Sequence, residues 1–291
     1  MAEDHRRISE LATLYPFTAG EVVPGDLRTI VDVSDPTRAA TGTNKTIPIG
    51  GIDPVSEIAV TGAATATLGR WHVCSGTTAD YTFLLPTAVG NAGKRIGVRM
   101  APGLTRLVTL DGNGSETIDG ALTRVMWAGE SAVLISDGAG WSKIGGRSKP
   151  MICRMQLNVA QPIATGTVMK ILLNNTALDN TGLMADLTNR QITVRRGGIY
   201  DVIALAYYND IYPVSRVGVY AYKNGAVLFQ AFHSAYNGSV FTTPWLLRAE
   251  TLAAGDILTL YTSQNSGGDM TAYGGNVGQE PYLAVVEKPQ W

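Results

Sequence analysis

From about residue 55 onward, apolar and polar positions alternate in short runs with a period of two, the spacing of strands with one face buried. In "DYTFLLP" Tyr81, Phe83 and Leu85 share a face, and in "KRIGVRMA" Ile96, Val98 and Met100 oppose Arg95, Gly97 and Arg99. In "RWHVCS" Trp71 and Val73 alternate with Arg70, His72 and Cys74. "RLVTL", "RVMW", "AVLIS" and "WSKI" follow, separated by "DGNGSETIDG", "AGE" and "DGAG". Short strands at this spacing predict a small all-β domain over residues 55–146. A Ser- and Pro-bearing basic stretch over residues 147–153, preceded by Gly146, reads as a linker.

Over residues 154–291 the strands lengthen: "QITVRR", "IYDVIALAYY", "RVGVYAYK", "AVLFQAFHSAY", "WLLRAETL", "DILTLYTS" and "YLAVVEK". "IYDVIALAYY" is apolar on both faces, as in a strand covered on both sides. "KNGA" and "YNGS" are Asn-Gly turns between β-rich runs, the strongest short-range hairpin signal. Residues 1–54 differ: one short helical pattern, "RISELATLY", precedes a Thr-rich run broken by Pro and ending in "TGTNKT". That composition predicts an extended arm that folds onto something else. The chain therefore reads as all-β: a thin arm, a small β domain, and a larger one.

Composition narrows the function classes. The net charge is -1 with a pI near 6.3, so no basic field draws in nucleic acid. No apolar run approaches the roughly 18 residues of a membrane span, and the charged start "MAEDHRRISELATLYPF" lacks an apolar signal core. Only 16% of residues are charged while 45% are apolar, which predicts that much surface is hidden in an assembly. Cys74 and Cys153, far apart in sequence, read as reduced thiols.

Candidate chemistry is sparse. His5, His72 and His233 are scattered, and no HExxH, CxxC or Gly-x-Ser-x-Gly occurs. "TGTNKT" lacks the glycines of a phosphate loop. Asp111, Glu116, Asp119, Glu130 and Asp137 would be numerous enough for a glycosidase, yet all sit at turns, where such residues serve the backbone. "DGNGSETIDG" (111–120) tests as a calcium loop: Asn113 and Ser115 fit, but Glu116 stands where Gly is required and Leu122 where Glu is. Strands rather than helices flank it, so a wide hairpin turn without ordered calcium is expected. No catalytic residue, cofactor or metal is assigned, and the chain is not expected to be an enzyme.

"YTFLLPTAVGNAGKRIGVRM" followed by "VTLDGNGSETIDGALTRVMWAGESAVLISDGAGWSKIGG" resembles a domain of tailed-bacteriophage fibre and other virion proteins, over about residues 68–146. "ISELA" with "DLRTIVDVSDPT" resembles the start of phage appendage proteins, where the arm attaches to the particle, and Ile8, Leu11, Leu14, Val31 and Val33 are its candidate docking residues. "MKILLNNTALDNTGLMADLTNRQITVRRGGIYDVIALAYY", with Gly198 and Tyr200 opening the central strand, resembles the jelly roll of tumour necrosis factor and the complement collagen-like heads. "VYAYKNGAVL" and "LAAGDILTL" continue that match; the Gly-rich "NSGGDMTAYGGNVGQEP" departs from it, as a contact surface or a slack connection, with Asp269, Tyr273 and Gln279 as candidate contacts.

The jelly-roll resemblance implies a homotrimer. Tyr207, Tyr208, Tyr220, Tyr222, Phe229, Phe232 and Tyr261 are its candidate interface, in excess of what one core absorbs, although any of them has the protomer core as its alternative place. Together the resemblances imply a structural protein of a phage particle, localised to the virion. Its partners would be itself, other virion proteins and a host-surface glycan or protein. Two roles stay open: a receptor-binding tail appendage, or a head decoration protein. A polysaccharide depolymerase is the lesser alternative.

Overall fold

The computed structural model describes residues 57–208, 216–234, 244–274 and 280–288; the expected arm over residues 1–54 lies outside them. Among the described residues there are strands and no α-helix. The first unit holds β1 (Glu57–Val60), β2 (Ala64–Thr65), β3 (Trp71–Cys74), β4 (Tyr81–Leu84), β5 (Arg95–Met100), β6 (Val108–Asp111), β7 (Thr123–Met126), β8 (Ser131–Ser136) and β9 (Trp141–Gly145). They form two sheets, ordered β1-β3-β5-β8-β9 and β2-β4-β6-β7.

The chain visits these sheets alternately. β1, β3 and β5 pair in parallel, as do β2, β4 and β6. Parallel neighbours ordinarily need a long crossover; here a strand in the opposite sheet is the crossover, so the chain coils. β7, β8 and β9 then close the coil with antiparallel pairs. Phe83, Leu85, Ile96, Val98, Leu110, Ile118, Leu134 and Trp141 fill the space between the sheets. The face shared by Ile96, Val98 and Met100 is thus the buried one. In β3 the inward residues are His72 and Cys74, while Trp71 and Val73 face out. The parallel register sets Trp71 beside Gly97, where an added Cβ would come within 2.4 Å of the indole, so only glycine fits.

The second unit contains β10 (Ile152–Gln156), β11 (Gln161–Ile163), β12 (Val168–Lys170), β13 (Asn175–Asp179), β14 (Ala185–Asp186), β15 (Gln191–Thr193) and β16 (Gly198–Leu205). β17 (Arg216–Lys223), β18 (Ala226–Ser234), β19 (Trp245–Leu252), β20 (Ile257–Gln264), β21 (Met270–Ala272) and β22 (Tyr282–Lys288) complete it. One sheet runs β13-β10-β22-β16-β19 and the facing one β14-β15-β20-β17-β18, with β12 on β20 and a separate β11-β21 pair. All of these pairs are antiparallel. The eight principal strands leave and re-enter the two sheets in the order of a jelly roll. The β17–β18 turn is made by Asn224 and Gly225 at φ 52° and 83°, the left-handed pair that a tight hairpin requires. The second Asn-Gly pair, in "YNGS", lies outside the described residues.

Between β13 and β14 one carboxylate organises the turn. Asp179 accepts from the amides of Thr181, Gly182, Met184 and Ala185 and from the Thr181 hydroxyl, at 2.8–3.0 Å. Burial alone would raise this carboxyl, but the donors together hold it below the ordinary carboxylate range.

The two units meet at Arg196. Its Nε and Nη2 donate to Glu287 at 2.8 and 2.6 Å, and its Nη1 donates to Glu130 at 2.9 Å. Nη1 also donates to the Val125 carbonyl and Nη2 to the Lys149 carbonyl, so all five guanidinium N–H groups have acceptors. Glu130 further accepts from the amides of Trp127 and Lys149, and Glu287 from that of Met151. Leu107 and Trp127 of the coil pack into the jelly-roll core beside Met151. The stretch expected as a linker over 147–153 is therefore built into the junction, and its last two residues already belong to β10.

Arg196→Ala leaves two buried carboxylates facing each other without their cation. It is expected to lower unfolding free energy by about 3–5 kcal/mol in urea titrations, with both units destabilised together. Asp179→Asn should destabilise by about 1–3 kcal/mol at neutral pH. Because the folded carboxyl is held low, that stability exists above the ordinary carboxylate pKa of about 3.9 and is lost as pH falls, so the difference from the parent should vanish in acid.

Candidate self-association face

The doubly apolar "IYDVIALAYY" becomes β16, the strand between β22 and β19. Tyr200, Val202 and Ala204 point into the core and are fully buried. Ile199, Ile203 and Leu205 point the other way, and among the described residues no second sheet covers them. Among the described residues, cover is thus present on one side of this strand.

Register shows how far the open face extends. Leu205 lies beside Trp245 and Tyr282; Ile203 beside Leu247 and Ala284; Asp201 beside Ala249 and Val286, with Ile152 next to Val286. Trp245 is 63% exposed, Leu247 54% and Ile199 39%. A solvated face of an antiparallel sheet should carry polar side chains at these positions. Here charge is limited to Asp201, paired with Lys288 at 2.9 Å, and Arg154, whose guanidinium lies 4.1 Å from the Tyr282 ring centroid. Contiguous exposed apolar surface of this kind marks an association site.

The seven aromatics put forward from sequence fall elsewhere. Tyr208 is enclosed in the protomer core, its hydroxyl hydrogen-bonded to Thr262, which places it away from any surface. Phe229 packs against the same core from β18. Tyr207 is buried beside Tyr273, ring centroids 6.1 Å apart. Tyr220, Tyr222, Tyr261 and Phe232 gather on the outer side of the other sheet. There Tyr222 stacks at 4.2 Å on Tyr261, and Tyr220 meets Phe232 edge-on at 5.6 Å. Arg216 lies 3.7 Å over the Phe232 ring, and the Tyr220 hydroxyl bonds Ser263 at 2.9 Å. Tyr208 and Phe229 belong to the core and Tyr220, Tyr222, Tyr261 and Phe232 to the opposite sheet, so these six are off the β10-β22-β16-β19 face. Its residues were signalled instead by the two-sided apolar pattern of β16 and by Trp245 and Leu247 in "WLLRAETL". Of the Gly-rich loop, Asp269 is exposed and Tyr273 half-buried; Gln279 lies outside the described residues, as do Ile8, Leu11, Leu14, Val31 and Val33.

The titratable groups serve the backbone or one another. In "DGNGSETIDG" Glu116 accepts from the Ala88 amide and Thr87 hydroxyl, and Asp119, at φ 47°, accepts from the Lys143 amide. Ile118 from the middle of that turn is buried in the coil's core. Asp111 pairs with Thr123 in the antiparallel β6–β7 ladder, so the segment is a wide turn. Asp137 caps the amides of Ala139 and Gly140. His72 is buried at 5.1 Å from Phe83; its Nε2 accepts from the Thr67 amide and its Nδ1 meets the Gly97 carbonyl, and burial lowers its pKa. That is a neutral, structural histidine. Cys74 and Cys153 are free and buried in separate cores; burial pushes the Cys74 thiol up to about 11. Among the described residues no three His, Cys, Asp or Glu side chains come together as a metal-ligand set. A cavity of about 390 Å³ at the junction is lined by Arg196, Glu130, Glu287 and Lys149, the groups already paired there.

No family model matches the chain. No curated protein matches it either. Among solved structures it is similar to Eiger TNF from S. frugiperda, at 16% identity over 49% of this chain and 96% of that one, with a TM-score of 0.35. It is also similar to murine APRIL at pH 8.0, at 15% identity over 48% of this chain and 100% of that one, with a TM-score of 0.36. The same protein at pH 5.0 gives 15% identity, the same coverage and a TM-score of 0.37. The jelly roll itself is read from the strand order, which stands independently of these likenesses.

Proposed function

We propose that the chain is a homotrimeric surface appendage of a tailed-bacteriophage particle, acting by recognition without covalent catalysis. The observation that carries the self-assembly is the open apolar face of the jelly roll, centred on Ile203, Leu205, Leu247 and Trp245. Water contact at these side chains is unfavourable in proportion to apolar area, and a second copy removes it. Three symmetric copies close without leaving a copy of the face open. The virion assignment is supported by the resemblance of residues 68–146 to phage fibre domains, and those residues form the coiled unit that would act as a shoulder behind the knob. In this reading the jelly roll is the exposed, host-binding end and the N-terminal segment docks to the particle.

Head decoration is the second reading. It is favoured by the brevity of the coil, where among the described residues β1, β3 and β5 are the strands that repeat in parallel in one sheet, which is little shaft for a tail fibre. Locating the protein by imaging intact particles decides between them: a few copies at the tail support adhesion, hundreds on the head support decoration. Release of reducing ends from host capsule by the purified protein would replace both with an enzyme.

Leu247→Glu places a charge in the middle of the proposed interface, at a side chain that is 54% exposed in the protomer. By light scattering after gel filtration, the parent is expected at three times the protomer mass and the variant at one. The expected loss is about 2 kcal/mol or more per contact, roughly thirtyfold in dissociation constant. A parent that runs as a monomer defeats the proposal.

A further inference from the structure

This inference rests on the self-association reading. Arg154 stands on the open face in a row that crosses the sheet as Leu178, Arg154, Ala284, Ile203 and Leu247. Every other member of that row is apolar. The Tyr282 ring lies 4.1 Å from the guanidinium, and among the described residues no hydrogen bond reaches its in-plane N–H groups. The Nε atom is buried and has no hydrogen-bond partner among the described residues. Asp201, the acid on the same face, is already held by Lys288 at 2.9 Å, and no ion pair among the described residues includes Arg154.

Arginine keeps its charge in proteins, so it cannot escape this position by losing a proton. Association through the face would strip the remaining water from it, and an unmet charged donor opposes burial. We infer that a second copy of this chain brings an oxygen acceptor, a carboxylate or a backbone carbonyl, into the plane of the Arg154 guanidinium. Apolar contact is non-directional, whereas a planar fork accepts a partner in one orientation. Arg154 therefore selects the register in which two otherwise featureless apolar faces meet.

The test compares Arg154→Met and Arg154→Lys with the parent by sedimentation equilibrium. Met keeps the stem and its contact with Tyr282; Lys keeps the charge and loses the planar fork. The expected result is a dissociation constant raised roughly tenfold or more for Met, with Lys between Met and the parent. In the monomeric Leu247→Glu background, Arg154→Met should not lower the unfolding midpoint, because among the described residues the guanidinium makes no hydrogen bond. A Met variant that associates as tightly as the parent, or more tightly, overturns the inference, since the charge would then only oppose assembly. A parent that stays monomeric removes the self-association reading and this inference with it.

Discussion

A β-sheet has two faces, and among the described residues this chain has no helix with which to cover either. Each apolar face must therefore be buried by another sheet. The coiled unit meets this by alternating strands between two sheets, so that Phe83, Leu110 and Ile118 from one side interleave with Ile96, Val98 and Leu134 from the other. The jelly roll meets it with two facing antiparallel sheets around Tyr200, Val202, Val219 and Leu260. The same rule leaves one surface unresolved. The outer side of the β10-β22-β16-β19 sheet is largely apolar, interrupted by the Asp201–Lys288 pair and Arg154, and among the described residues no third sheet lies on it.

The junction shows the opposite solution, in which polarity is buried and fully answered. Arg196 lies between Glu130 and Glu287, and the remaining acceptor sites of both carboxylates are occupied by main-chain amides. A buried ion pair of this kind adds little net stability against an apolar substitute, but it is costly to break. Its consequence is orientation: Val125 and Lys149 carbonyls and two acids from both units converge on one planar group, which leaves few ways to seat the coil on the jelly roll. Arg154 is the contrast. It is an arginine in apolar surroundings whose Nε acceptor is missing, and the difference between the two is what gives it meaning.

Much of the fold was legible because a period of two is a local property. The strands from "YTFLLP" to "YLAVVEK", the Asn224-Gly225 hairpin and the turn at 111–120 lie where the pattern put them. The pattern names the buried face of a strand and says nothing of its neighbours. The parallel pairing of β1, β3 and β5 was therefore hidden, although Gly97 opposite Trp71 was a trace of it. In β3 the inward pair His72 and Cys74 is less apolar than the outward pair Trp71 and Val73, because a neutral imidazole with both nitrogens answered can be buried. The aromatic-rich run is ambiguous in sequence, since tyrosines satisfy their hydroxyls and stack on one another within a protomer, as Tyr208 with Thr262 and Tyr222 with Tyr261 do. The aliphatic residues of β16 and β19 have no such recourse.

That difference in recourse separates the two outer faces of the jelly roll. On the β15-β20-β17-β18 side the rings of Tyr220, Tyr222, Tyr261 and Phe232 are interleaved with Ser263, Arg216 and Thr259, so each has a stacking or hydrogen-bonding neighbour. Such a surface is stable in water as it stands. On the β10-β22-β16-β19 side Ile199, Ile203, Leu205 and Leu247 have neither option, and aliphatic surface can lower its free energy only by leaving water. A chain with 16% charged residues has little other surface polarity to offset an exposed face of this kind. The two faces are thus unequal in what they require, and in the proposed assembly the aliphatic one is the face that a second copy would cover, with the aromatic and polar one left outward.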